Sequence, residues 1–320
     1  MKKIFAIILC ACMICALLVG CGSSESPAAA VEGDVLKIGI FEPATGENGA
    51  GGMQEVLGAR YANKVVPSVT VNGKEYKIEL VEVDNQSDKT AAVTAAQNLV
   101  SSGVIAVIGS YGSGVSIAAG STFEQAKIPA VGGSCTNPQV TLGNDYYFRV
   151  CFLDPFQGSV MANFAKDEFS AANAYVLSML GEDYGSGLAT YFVNAFEDLG
   201  GTVTSEQFPE GTSDFSAYIQ NAINAGADVI FAPCATTYAA QIITQAASAG
   251  FDKPITAGDT WESSVILDAQ KGTSVQVYCS TFFDENDDSG AAKEFVAGFK
   301  EWLNADSQKL TNNGGNDIVA

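Results

Sequence analysis

The chain has 320 residues, 47% of them hydrophobic, with 33 glycines and 36 acidic against 16 basic residues for a net charge of −20. That length supports one or two domains with a large core. That charge repels nucleic-acid phosphates and anionic lipid headgroups, so neither nucleic-acid binding nor direct association with a membrane surface is expected.

The N-terminal segment carries Lys2 and Lys3, an apolar run from Ile4 to Val19, and closes on Leu18-Val19-Gly20-Cys21. A charged start, a short apolar core and small residues at a cut site are the parts of a secretory signal. The run is shorter than the roughly 20 residues that cross a bilayer. Ending on a cysteine after a small residue, it resembles a bacterial lipobox. The resemblance implies that residues 1–20 are a signal peptide and that Cys21 is lipidated, anchoring an exported protein to the outer face of the cell membrane. Residues 21–34, with Gly22-Ser23-Ser24-Glu25-Ser26-Pro27, are expected to form a flexible tether.

Val35–Phe41 reads as a buried strand, followed by a Gly-rich loop from Gly46 to Gly52 and a helix from Met53 to Val65. Asn72-Gly73 between two apolar-alternating runs is a hairpin signal. Strand Ile78–Val83, a helix capped by Asp88 and running to Leu99, strand Val104–Ile108, helix Val115–Ala126 and strand Ile128–Val131 come next. The rhythm then repeats: helix Phe156–Phe169, strand Ala174–Met179, helix Leu188–Leu199, strand Thr202–Gln207, helix Phe215–Ala225, strand Val229–Ala232, helix Tyr238–Ala249, strand Ile255–Ala257 and strand Val275–Thr281. A helix around Ala291–Leu303 follows. Apolar strands alternating with helices of this length imply parallel sheets covered on both faces, an α/β fold. The two series divide near Cys151–Pro155, so lobe 1 is assigned to residues 35–153 and lobe 2 to 154–281, with a return toward lobe 1 over 282–320. The chain stops in the mid-apolar run Asp317-Ile318-Val319-Ala320, which reads as a truncated end.

The chemistry of catalysis finds little purchase. No histidine is present, which removes Ser-His-Asp hydrolysis. Ser134 follows Gly132-Gly133 without the second glycine of a nucleophile elbow. Gly109–Gly114 matches neither G-x-G-x-x-G nor the lysine-bearing phosphate loop. Asp284-Glu285-Asn286-Asp287-Asp288 begins like a calcium loop but places Ser289 and Phe295 where glycine and glutamate are needed. Beyond the signal, Cys135, Cys151, Cys234 and Cys279 have no C-x-x-C spacing, so no metal is expected. Whether they pair or stay reduced is left open. No cofactor is implied, and the chain reads as a binding protein, not an enzyme.

Open α/β sheets place ligands at the carboxyl ends of their strands. Ser113 follows one such strand and opens a helix, offering a hydroxyl and free backbone N–H groups to an anion; Tyr111 lies in the same loop. Thr136-Asn137-Pro138 follows the next strand. Simple helix capping is the bland alternative for each. Asp259, in Ala257-Gly258-Asp259-Thr260-Trp261, could hold an ammonium group, with Trp261 adding cation–π attraction. Tyr184 could close over a ligand, or be a core tyrosine.

Ile108-Gly109 with Ser113, Thr136-Asn137-Pro138, Phe148-Arg149, Gln157-Gly158, Asp183-Tyr184-Gly185-Ser186-Gly187, Asp214-Phe215-Ser216 and Gly258-Asp259, in that order, resemble the leucine/isoleucine/valine-binding family of bacterial ABC importers. Pro43-Ala44-Thr45-Gly46 looks like that family's first ligand loop. The resemblance, over roughly residues 35 to 305, implies a type I periplasmic-binding fold: two Rossmann-like lobes joined by a hinge crossed several times, with an α-amino acid between them. Carried over, Ser113, the backbone of Ser134, and Thr136 hold the ligand carboxylate, while Asp259, where the family often has Glu, holds the ammonium beside Tyr184. Gly51 stands where leucine-binding members have a tyrosine, and Ala235-Thr236 stand near their second-lobe tyrosine. Both departures remove bulk and are expected to leave room for a larger or different side chain. The partners implied are a small-molecule ligand and a membrane ABC permease, with the protein acting as a monomer; the alternatives are a ligand sensor of the same fold, or a binder of a non-amino-acid small molecule such as an amide or small acid.

Overall fold

The computed structural model describes residues 33–305; the signal segment with Cys21, nearly all of the tether and the C-terminal residues after 305 lie outside the described residues. Eleven strands form two sheets. The first holds β1 (Val35–Glu42), β2 (Ser68–Val71), β3 (Lys74–Asp84), β4 (Ala106–Ile108), β5 (Ala130–Gly132) and β6 (Tyr147–Arg149), in the order β2-β3-β1-β4-β5-β6. Helices α1 (Gly49–Val65), α2 (Lys89–Ser101) and α3 (Ser113–Ala126) accompany it. The second holds β7 (Asn173–Met179), β8 (Thr202–Phe208), β9 (Val229–Phe231), β10 (Ile255–Ala257) and β11 (Val277–Cys279), ordered β11-β10-β9-β7-β8. Its helices are α4 (Asp154–Phe169), α5 (Asp183–Asp198), α6 (Ser216–Asn224), α7 (Thr236–Ala249) and α8 (Ser264–Gln270). Every strand pair is parallel except β2–β3.

Strand β7 shows why the sheets are parallel and covered. Tyr175, Leu177 and Met179 enter one core with Phe208, Ile242 and Trp261, while Ala174 and Val176 enter another with Met161, Phe192 and Phe231. Side chains on a strand alternate between faces, so a strand apolar at successive positions must be covered on both. The antiparallel pair is the hairpin expected from Asn72-Gly73: Val71 faces Lys74, and both turn residues have positive φ, 51° and 79°, as a type I′ turn needs. Asp88 caps α2 by accepting the Ala91 N–H at 2.7 Å.

Some local expectations are corrected. Strands β4, β5 and β11 are only three residues long, and Tyr147–Arg149 adds an edge strand, β6, that no apolar run marks. The glycine stretch at 46–52 is a loop only in part, because α1 begins at Gly49. Packing requires glycine there: a Cβ on Gly52 would lie 2.2 Å from the Pro43 carbonyl oxygen. Asp183–Gly187 is likewise the first turn of α5, capped by the Glu182 carboxylate on the N–H groups of Tyr184 and Gly185.

The chain crosses between the sheets at residues 150–153 and again from residue 280, where the rings of Phe152 and Phe282 meet at 4.2 Å. After the second crossing α9 (Gly290–Asn304) packs Trp302 and Leu303 on Leu57 of α1. Among the described residues no helix is long and apolar enough to cross a membrane.

Candidate functional site

Each sheet reverses its strand order once. In the first, β3 and β4 leave β1 on opposite sides; in the second, β8 and β9 leave β7 on opposite sides. The loops diverging at such a point leave a crevice at the carboxyl ends of the strands. The two crevices face each other. Together they enclose a cavity of about 340 Å³, counting its open mouth, lined by Asn48, Tyr111 and Ser113 on one side and by Met179, Tyr184, Ala235 and Thr260 on the other. Four contacts tie the walls together. Tyr111 O–H donates to the Thr260 carbonyl (3.3 Å), Thr237 Oγ1 to the Glu47 carbonyl (3.2 Å), and Asn137 Nδ2 to the Asp183 carbonyl (2.8 Å). Lys89 pairs with Asp183 at 2.8 Å.

The donor side is built from two loops that meet. Ser113 is the first residue of α3, whose initial N–H groups have no intrahelical partner. Its Oγ accepts the Asn137 N–H at 3.2 Å, which leaves the Ser113 hydroxyl proton free to donate. Thr136 is fully buried beside it, its hydroxyl near the Asp154 carboxyl. Ser134 contributes differently: its hydroxyl donates to Glu55, so only its backbone is available to a ligand.

Behind the wall formed by Tyr184 and Thr260 lies Asp259, 6% exposed just past the end of β10; neither it nor Thr136 lines the cavity itself. Its Oδ1 accepts from Gln157 Nε2 at 2.6 Å and from the Tyr184 hydroxyl at 2.9 Å. Gln157 is held in turn by Ser280 at 2.9 Å. Burial pushes the Asp259 carboxyl up to about 6, although these two hydrogen bonds pull the other way. Asp154, at the start of α4, is fully buried with the Thr136 hydroxyl beside its carboxyl. Burial pushes it up to about 7. The Thr136 hydroxyl pulls the other way, and Asp154 lies between the Thr136-Asn137 loop and Asp259.

Three features escaped sequence reasoning. Asp154 opens α4 in Asp-Pro-Phe-Gln, where Asp before Pro at a helix start is a local signal, and Gln157, quoted above only as part of a motif, gains its role from its contact with Asp259. Glu182 lines the cavity from the cap of α5, pushed up to about 7 chiefly by burial. Glu42 ends β1 and is fully buried, its Oε2 accepting the Tyr111 N–H at 2.7 Å; burial and then the charge of Glu55 hold its carboxyl well above the usual range.

Two expectations are corrected. Trp261 does not face the cavity: its indole lies in the lobe 2 core and donates its N–H to the Cys234 carbonyl at 3.1 Å, so it is no cation–π partner. The room expected above Gly51 is occupied, since an added Cβ there would lie 2.3 Å from the ring of Tyr111. Cys135, Cys151, Cys234 and Cys279 are all free thiols.

Residues 35–315 match the family model described as periplasmic binding protein. The chain is 32% identical over 274 residues to Leu/Ile/Val-binding protein homolog 1 of Brucella abortus (strain 2308), covering 84% of this chain and 72% of that one. It superposes on the leucine-binding protein LivK of Thermotoga maritima MSB8 with a TM-score of 0.80 at 33% identity, over 88% of this chain and 80% of the other. The branched-chain amino acid transporter substrate-binding protein LivJ of Streptococcus pneumoniae, in complex with isoleucine, gives a TM-score of 0.77 at 29% identity, over 84% and 78%.

Proposed function

Because the chain belongs to the periplasmic binding protein family, in its branched-chain amino acid ABC-transporter group of solute-binding proteins with the type I fold, we propose that it captures an α-amino acid between its two lobes and delivers it to an ABC permease. What supports this reading is a hydroxyl of Ser113 on one wall of the cavity, with Thr136 buried beside it, set against the Tyr184 wall, whose hydroxyl leads to the buried carboxylate of Asp259.

In this reading the ligand carboxylate takes the Ser113 hydroxyl, the Thr136 hydroxyl and backbone N–H groups around Ser134 and at the start of α3. The ammonium takes Asp259, oriented by Tyr184 and Gln157, with Asp154 close behind. No bond is made or broken. A ligand contacting both lobes favours the closed arrangement by its differential affinity, and the permease reads that arrangement. Cys21, once lipidated, keeps the protein on the outer face of the membrane, where export places it.

The test is calorimetry with leucine, isoleucine and valine against their N-acetyl and carboxamide derivatives. Each derivative leaves one buried polar set unpaired, at a cost of about 1–3 kcal/mol, so affinity should fall at least about tenfold for either (about 1.4 kcal/mol per tenfold). Derivatives that bind as well as the parent amino acids would refute the two-ended grip.

A further inference from the structure

We propose that Tyr111 is the specificity-determining wall of the side-chain cavity, filling from the β4–α3 loop the space that Gly51 leaves on α1. This inference rests on the amino-acid reading above and deepens it.

Three observations carry it. An ideal Cβ on Gly51 would lie 2.3 Å from Cζ of Tyr111 and 2.6 and 2.7 Å from two further ring carbons, so the glycine is where the ring passes. Contacts under 3 Å do not survive in a packed interior, and the two residues therefore form one unit: a side chain at position 51 and a ring at position 111 exclude each other. Next, the ring is a wall of the interlobe cavity, facing Met179, Tyr184 and Ala235. Finally, it is held at both ends. Its N–H donates to the buried Glu42 carboxyl at 2.7 Å, and its hydroxyl reaches the Thr260 carbonyl of the other lobe at 3.3 Å. A ring fixed in this way limits how long a ligand side chain can be.

The experiment compares affinities for alanine, valine, leucine and phenylalanine in the wild-type protein and in Tyr111→Ala. Removing the ring should raise the phenylalanine-to-alanine affinity ratio at least tenfold, and an unchanged ratio would overturn the inference while leaving the amino-acid reading intact. If no amino acid binds the wild-type protein, both readings fall. A second, ligand-free measurement guards against a variant that merely misfolds. Gly51→Ala should lower the melting temperature of the wild-type protein and leave that of Tyr111→Ala unchanged or higher. An equal loss in both backgrounds would mean that the ring does not occupy that space, and would end the proposal on structural grounds alone.

Discussion

Replacing Asp259 by Asn should move stability and affinity in opposite directions. Burial carries this carboxyl from its ordinary value near 3.8 to about 6, so ionising it inside the closed cleft costs on the order of 3 kcal/mol. Asparagine keeps the shape, and its oxygen can still accept from Gln157 and Tyr184, so the variant sheds the charge without losing either contact. At pH 8 the unliganded variant should therefore be more stable by up to about 3 kcal/mol, a rise of roughly 2–4 °C in melting temperature per kcal/mol for a chain of this size. Its affinity for an amino acid should fall, because a hydrogen bond to a charged partner contributes about 1.5–3 kcal/mol, equivalent to roughly 10- to 150-fold. Differential scanning calorimetry on unliganded protein and titration calorimetry with the ligand give the two numbers. The reasoning is refuted if the melting temperature falls while affinity is unchanged, since Asp259 would then be a structural group and not the ammonium partner.

The same carboxyl, with Asp154 and Glu182 at about 7, predicts a pH dependence. An acid whose folded pKa is raised stabilises the fold below its unfolded value, and that contribution is lost as pH rises through the folded value. Urea midpoints of unliganded protein should thus decline between about pH 4 and pH 7. Ligand affinity should climb over the same window, because an ammonium needs Asp259 ionised; a flat stability profile would contradict these environments. Gly52→Ala forces a Cβ against backbone, 2.2 Å from the Pro43 carbonyl oxygen, and is expected to cost about 1–3 kcal/mol. A melting temperature equal to wild type would show that α1 can shift away at no cost.

How much of this was legible in the chain depends on whether the deciding interaction is local. Asn72-Gly73 and Asp88 act within a few residues of themselves, and both their positions and roles could be read directly. The fold class follows from unbroken apolar strands such as β7, which no one-faced sheet would accommodate. The places of Ser113, Thr136, Tyr184 and Asp259 at one end of the strands could be read because parallel sheets present their loops there. What could not be read is decided by neighbours distant in sequence. Gly49–Gly52 has poor helix propensity and looks like a loop, yet packing on Pro43 and Tyr111 makes it the first turn of α1. Trp261 is adjacent in sequence to the cavity-lining Thr260, but the turn sends its indole to the opposite side, into the core. Glu42 ends an apolar strand, and nothing in its local pattern marks it as buried against Glu55 and under the Tyr111 amide. Gly51 makes the same point about specificity. The family resemblance alone implies that a glycine at 51 removes bulk and admits something larger. The space beside that glycine nonetheless belongs to a ring from another loop. Pocket volume is a property of the assembled neighbourhood, so a substitution at one wall bears on ligand size only once the residue that moved into its place has been found.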